Sequence, residues 1–331
     1  MLRREHERAA LLARLSGFDR LVLLGDLLEL RHGPLRDAMA AAAPVLRELG
    51  SAVADVVVVP GNHDHALLRG WLERRDSAPL GLESDVQWAP GEALAAVVDA
   101  LAPAQVRVAY PGVWLREDVY AIHGHYGDRH NTVPIIERLG AGLTVRLAGE
   151  PAGGPARPED YEAALAPMYA WIDTVAQSGG LRGGGGDGSF QVRAWRGLTG
   201  TDGLRGRALA VFFPLVVAGL NRAGFGPLYA DVSAVELRRA ALRAFGEVVT
   251  RLGVPAAHVI FGHTHRAGPL PGDDPAEWSP ARSRLLNTGS WVYEPAWLGD
   301  APRESPYRPG FAAIVEDTHP PELINLLDGD G

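Results

Sequence analysis

The sequence predicts an α/β protein: a sandwich of two β-sheets flanked by helices, interrupted by a large, mainly helical insertion. Three observations predict it. Short runs of apolar β-formers alternate with segments of helical periodicity. Polar, histidine-rich strings follow several of those runs directly, as expected of loops at the ends of consecutive strands. Between residues 126 and 254 the alternation gives way to longer helical stretches and to Gly- and Pro-rich pieces.

In chain order, Leu2, Leu11, Leu12 and Leu15 recur at helical spacing among Arg and Glu, which predicts an N-terminal helix. Arg20 to Leu24 reads as a buried strand that delivers Asp26 at its carboxyl end. Leu35 to Leu49 is an Ala-rich helix, and Val53 to Val59 a second buried strand that delivers Asn62 and His63 through Pro60 and Gly61. Arg107 to Tyr110, Trp114 to Arg116 and Val119 to Ile122 read as short strands, the last delivering His123. His258 to Phe261 delivers His263, and Leu285 to Asn287 with Trp291 to Tyr293 continues the sheet. Phe311 to Val315 and Glu322 to Leu327 read as closing strands. The core is therefore assigned to residues 1–125 and 255–331, and the insertion to 126–254.

Within the insertion, Pro158 to Ser178, Ala208 to Ala223 and Ser233 to Leu252 are predicted helices. The first carries Tyr161, Leu165, Met168, Tyr169 and Ile172 at spacings of three and four. Gly179 to Gly188 and Pro151 to Pro158 read as linkers. The apolar run Ala208 to Leu220 spans 13 residues, short of the roughly 20 that cross a bilayer. It reads as a buried core helix, with a lid or a peripheral membrane contact as the alternative. The insertion is left as a lid or an interaction module, dimerisation included, so the oligomeric state stays open.

Composition narrows the classes. The 331 residues are 47% hydrophobic, enough for a substantial core. A net charge of −8 argues against a general nucleic-acid binder without excluding a nucleotide ligand. No lysine is present, so every Lys or Arg position is Arg. No cysteine is present, which rules out disulfides and thiolate ligands. The charged N-terminus lacks a secretory apolar region, and a cytoplasmic location is expected.

The histidines cluster. Seven of the 11 lie in or beside three of the strings that follow the strands: His63, His65, His123, His125, His130, His263 and His265. Imidazoles grouped with carboxylate and carboxamide oxygens suit Mn, Fe, Zn or Co better than Ca.

The order G-D-x-x-E (Gly25 to Glu29), G-N-H-D (Gly61 to Asp64), H-G-H (His123 to His125) and G-H-T-H (Gly262 to His265) resembles the metallophosphoesterase, or calcineurin-like phosphoesterase, superfamily. The resemblance implies a hydrolase of phosphoric esters or pyrophosphates with a dinuclear site and a metal-bound hydroxide as nucleophile. It implies Asp26 as the bridging ligand, Asn62, His123 and His263 as the other ligands of site B, and His265 as a ligand of site A. His63 would be the general acid, held in orientation by Asp64, and Glu29 would act only in support. G-D-L-x-E, H-G-x and N-T-G-S-W (Asn287 to Trp291) look most similar to the bacterial branch containing UDP-2,3-diacylglucosamine pyrophosphohydrolases. The core chemistry is carried over from that branch; its lipid substrate is not, and a phosphorylated small molecule or a lipid-linked phosphate is expected.

One part of the family pattern is absent. No D-x-H precedes Gly25, so the two site A ligands on the first core strand are expected to be missing. A misassigned start is the preferred explanation, because every later motif is intact. A one-metal or non-catalytic relative, and substitute ligands from His6 or His32, are the others. The alternative function is accordingly a catalytically impaired or non-catalytic binding or scaffold protein on the same fold.

Other candidates carry two readings each. His65, His125 and His130, the last two near Asp128, contact substrate or sit in loops. Arg266 binds phosphate through its guanidinium fork or makes an ion pair. Asn287 and Ser290 are expected to shape the loop beneath His263 and His265.

Overall fold

The computed structural model describes residues 2, 4–75, 78–133, 136–177, 215–229, 233–280, 282–293, 295–299 and 301–328. The alternation of side chains along three strands explains the architecture. In β2 (Asp55–Val59), Val56 and Val58 enter one apolar cluster while Val57 and Val59 enter another. In β5 (Val119–Ile122), Tyr120 and Ile122 point into a third cluster, and Val119 and Ala121 share the one that holds Val57 and Val59. In β6 (His258–Phe261), Val259 and Phe261 join Tyr120, while Ile260 joins Val57. Successive residues of a strand face opposite sides, so three apolar layers require helix, sheet, sheet and helix in turn.

The strands form one mixed path. β1 (Arg20–Leu24) pairs in parallel with β2, and β2 with the first half of β4 (Gln105–Arg116). The second half of β4 pairs antiparallel with β5, so β4 serves both halves of the sandwich. β5 continues in parallel to β6, and β6 to β8 (Arg284–Thr288), with β7 (Ala267–Gly268) antiparallel on β8. β3 (Glu83–Asp85) lines the middle of β4, and β9 (Phe311–Ile314) and β10 (Glu322–Asn325) form a separate hairpin. Val56, Val58, Val59, Val119 and Val259 are fully buried, each contributing about 1.5–3 kcal/mol relative to an exposed position.

Helices cover both faces. α1 (Glu5–Leu15), α2 (Leu35–Ala52), α3 (Arg69–Arg75) and α4 (Ala93–Ala100) pack on the first half through Leu11, Leu46, Leu49, Trp71 and Val97. α5 (Ile136–Ala148), α6 (Pro158–Gln177) and α7 (Ala234–Arg251) pack on the second through Ala141, Leu165 and Phe245. The start of α7 is capped by Ser233, whose hydroxyl accepts from the Glu236 amide. Residues 215–222 are helical. The predicted Gly179 to Gly188 linker and the first half of the predicted helix Ala208 to Ala223 lie outside the described residues. No helix among the described residues is long and apolar enough to cross a membrane.

Two predicted elements are corrected. Arg107 to Tyr110 and Trp114 to Arg116 belong to the single strand β4; Pro111 is tolerated inside it because it is paired there only with short β3. Trp291 to Tyr293 is not a strand. Its backbone turns, with the Val292 amide donating to Ser290 Oγ, and the Trp291 indole donates to the Phe311 carbonyl at the hairpin.

Candidate metal centre

Asp26, His123 and His263 bring one ligand atom each within 4.8 Å of one another. They come from the carboxyl ends of β1, β5 and β6, two neighbouring strands of one half and one of the other. Their loops are tied by the main chain: the Gly262 amide donates to the His123 carbonyl at 2.9 Å, and the Leu30 amide to the His63 carbonyl at 3.2 Å.

The backbone of this site is unusual. Among the described residues, the non-glycine positions with positive φ are Asp26 (53°), His263 (63°) and His265 (61°). Each such conformation costs about 1–3 kcal/mol and is held only where surrounding contacts over-determine it. Two of the three, Asp26 and His263, supply donor atoms of the cluster, so strain sits where those atoms converge. Gly61 makes room for that convergence: a Cβ there would meet Asp26 Oδ1 at 2.4 Å and His123 Cδ2 at 2.8 Å. At Gly25 a Cβ would meet His123 Nδ1 at 2.0 Å.

Hydrogen bonds fix the rings. His123 Nδ1–H donates to the Leu24 carbonyl at 3.0 Å, turning Nε2 toward Asp26 Oδ2 at 3.2 Å and Asn62 Oδ1 at 3.3 Å. A backbone partner on one imidazole nitrogen selects the other as ligand. His263 Nε2 donates to Asp128 Oδ1 at 2.8 Å. Asn287 donates to the Gly262 carbonyl and to Thr264 Oγ1, holding the G-H-T-H turn.

Charge in the site is organised for a cation. Burial works against the Asp26 carboxylate, but His123 and His63 outweigh it and hold the group well below the usual range. Burial likewise opposes a charged His123, yet Asp26 outweighs it and raises the imidazole to about 9. In the metal-free protein a proton therefore occupies the place beside Asp26 that a divalent ion would take, and metal binding should release it. Carboxylate, carboxamide oxygen and imidazoles form a coherent donor set for a divalent transition metal. His265 adds a buried Nδ1 with no hydrogen-bond partner, on a ring burial holds neutral with a pKa of about 4. It packs against Trp297 of α8 (Pro295–Leu298) at 5.1 Å between ring centroids and is not part of the three-residue cluster.

The remaining sequence-derived candidates divide. His63 lies at the cluster, Nε2 3.7 Å from Asp26 Oδ2, and its Nδ1–H donates to Glu29 Oε2 at 2.6 Å. Burial opposes its charge, but Asp26 and Glu29 raise its pKa. Asp64, expected to orient His63, does something else. It accepts from the amides of Gly61, Leu27 and Leu28 at 2.6, 2.7 and 3.3 Å, so the expected orienting contact is made by Glu29. The reason is local geometry: Asp64 turns into the core beneath the loop, whereas His63 turns to the cleft.

His125 is fully buried, hydrogen-bonded to Tyr110 and held neutral by burial and by His123. His130 bonds to the Tyr161 hydroxyl of α6. Arg266 forks onto Asp273 and lies over Trp278, which corrects its reading as a phosphate binder in favour of an ion pair. His32 pairs with Glu29 at 3.7 Å and stands outside the cluster. Sequence reasoning did not assign Asp128 as the partner of His263; its position three residues after His125 was the signal.

Asp26, His63, His123, His263 and His265 line one cleft of about 2900 Å³, whose lining also includes Leu139, Met168 and Trp171 of the insertion. No protein-family model, curated protein or solved structure matches this chain. The mixed sheet between helical layers and the three-residue cluster are consistent with a metallophosphoesterase-like fold and, among the described residues, a single candidate metal site.

Proposed function

We propose that this chain binds one divalent transition-metal ion through Asp26, Asn62, His123 and His263 and uses that site to hold a phosphorylated ligand, with phosphoester hydrolysis impaired in the chain as it stands. The observation that carries this reading is the cluster itself: among the described residues the ligand atoms of Asp26, His123 and His263 converge, and no second cluster accompanies them. When bound, the ion supplies Lewis acidity toward a phosphoryl oxygen. Asp26 and His123 would hold it, and Asp128 would fix the His263 ring. The ligand is a phosphorylated small molecule or a lipid-linked phosphate; Leu139, Met168 and Trp171 on the cleft wall support an apolar portion. Titration with Mn²⁺ followed by inorganic phosphate tests this reading: phosphate should bind only to the metal-loaded protein.

A second reading is a metal-dependent phosphoester hydrolase with His63 as general acid. It is favoured by the Glu29–His63–Asp26 arrangement, in which two carboxylates raise the pKa of an imidazole that lines the cleft. A protonated, oriented imidazole can donate to a departing oxygen. Turnover of p-nitrophenyl phosphate or its diester with Mn²⁺, lowered in His63→Ala with metal content unchanged, distinguishes the two. Absence of turnover in the wild-type chain that still binds metal and phosphate favours the first.

A further inference from the structure

The insertion helix α6 places one charged face against the core loops that carry the candidate ligands. Glu162, Leu165, Tyr169 and Asp173 recur at helical spacing, and all four are turned inward. The Glu162 carboxylate, 12% exposed, is the centre of this face. It accepts three hydrogen bonds from three separate segments outside its own helix. His65 Nε2–H donates to Oε2 at 2.9 Å, Tyr126 Oη–H to Oε1 at 2.7 Å, and Tyr110 Oη–H also to Oε1.

Each donor leads to the metal cluster by a short path. His65 follows Asn62, His63 and Asp64 without a break in the chain. Tyr126 follows His123 by three residues, and Tyr110 Oη lies 3.3 Å from His125 Nε2. The His125 ring in turn lies 5.6 Å from the His123 ring, centroid to centroid. Tyr169, seven residues after Glu162 on the same helix, packs against both His65 (5.2 Å) and His125 (5.9 Å). The G-N-H-D and H-G-H loops are thus tied to a single helix.

A buried carboxylate is costly unless its hydrogen bonds are satisfied. If α6 served only to cover the core, an apolar residue would do so with less demand on geometry. A charge with three hydrogen-bond donors instead imposes one position on each donor. We infer that Glu162 is a positioning residue for the metal site, acting through His65 on the loop bearing Asn62 and His63 and through Tyr110 and Tyr126 on the loop bearing His123. This rests on the proposed metal site and extends it to a residue of the insertion, which makes the insertion part of the site's architecture. Supporting groups of this kind typically change metal affinity by about 10- to 100-fold when removed.

The test uses Co²⁺ binding to the full chain, followed by calorimetry and by the visible absorption of the bound ion. Glu162→Ala and Glu162→Gln are compared with Asp173→Asn, which loosens the same helix through its ion pair with Arg69 of α3. The Gln variant keeps the side-chain volume and can still accept from the tyrosines, so it remains informative where the Ala variant fails to fold. The expected result is weaker Co²⁺ binding by about tenfold or more in a folded Glu162 variant, with altered absorption. Asp173→Asn should lower melting temperature while leaving both readouts at wild-type values. Unchanged affinity and spectrum in Glu162→Gln, or an equal loss in Asp173→Asn, would overturn the inference while leaving the metal site standing. A wild-type chain that binds no Co²⁺ would overturn the metal site itself and this inference with it.

Discussion

Glu29 Oε2 lies 2.6 Å from His63 Nδ1, and the opposite nitrogen of the same ring lies 3.7 Å from Asp26 Oδ2. The imidazole is therefore held between a carboxylate that belongs to the metal cluster and one that does not. That separation allows the two influences on His63 to be removed one at a time.

Glu29→Gln should lower the His63 pKa in the metal-free protein. Burial already disfavours the charged ring, and the variant removes one of the two carboxylates that outweigh it. The raised pKa means that this pairing stabilises the fold fully below the ordinary value of 6.5 and loses its effect as pH rises through the folded value. NMR titration of the imidazole checks the shift; a pKa unchanged from wild type would show that Asp26 alone sustains the charge.

Asp64→Ala should destabilise the fold on the order of 3 kcal/mol or more, because three loop amides lose a buried acceptor. Urea denaturation reads the loss. Asp64→Asn, which keeps an oxygen acceptor, should fall between the two. If Asp64→Ala were as stable as wild type, the carboxylate would not be organising the G-D and G-N-H-D loops.

Gly61→Ala should damage the site without requiring any new backbone conformation. Its methyl would press on Asp26 Oδ1, the Asp26 amide and His123 Cδ2, an overpacking that costs about 1–3 kcal/mol. Metal affinity should fall together with stability. A variant with wild-type Mn²⁺ affinity would mean that the loops relax more freely than their contacts indicate.

His130→Gln should flatten the acid limb of stability. Burial, together with nearby Arg129, Arg251 and Arg138, lowers the His130 pKa to about 3 from 6.5. The folded state therefore resists protonation, and the stability present above pH 6.5 is lost as pH falls toward the folded value. At about 1.36 kcal/mol per pKa unit the full effect is several kcal/mol. Denaturation midpoints measured from pH 7 to pH 4 should decline less steeply in the variant, since one proton-binding group is gone; parallel declines would contradict this.

The strands that carry the site were legible because buried strands read as short apolar runs, and the polar strings follow them. Arg20–Leu24, Val119–Ile122 and His258–Phe261 have the predicted limits. Trp291 to Tyr293 was misread because an aromatic, β-branched triplet has strand propensity, while Ser290 and the hairpin decide its path. Convergence of Asp26, His123 and His263 was carried by the family resemblance and not by periodicity. The partners of those residues were less visible. Adjacency favoured Asp64 as the partner of His63, yet neighbouring side chains diverge and the contact came from Glu29, 34 positions away. Glu162 is 97 residues from His65, and nothing in local pattern distinguishes it from other acidic residues of an amphipathic helix.

The most direct test of the central claim is the amount of metal bound per chain after purification with Mn²⁺, measured by elemental analysis for wild type and Asp26→Asn. A single site at Asp26, His123 and His263 predicts close to one ion per wild-type chain and close to none in the variant. Two ions per wild-type chain, or an undiminished content in Asp26→Asn, would contradict it.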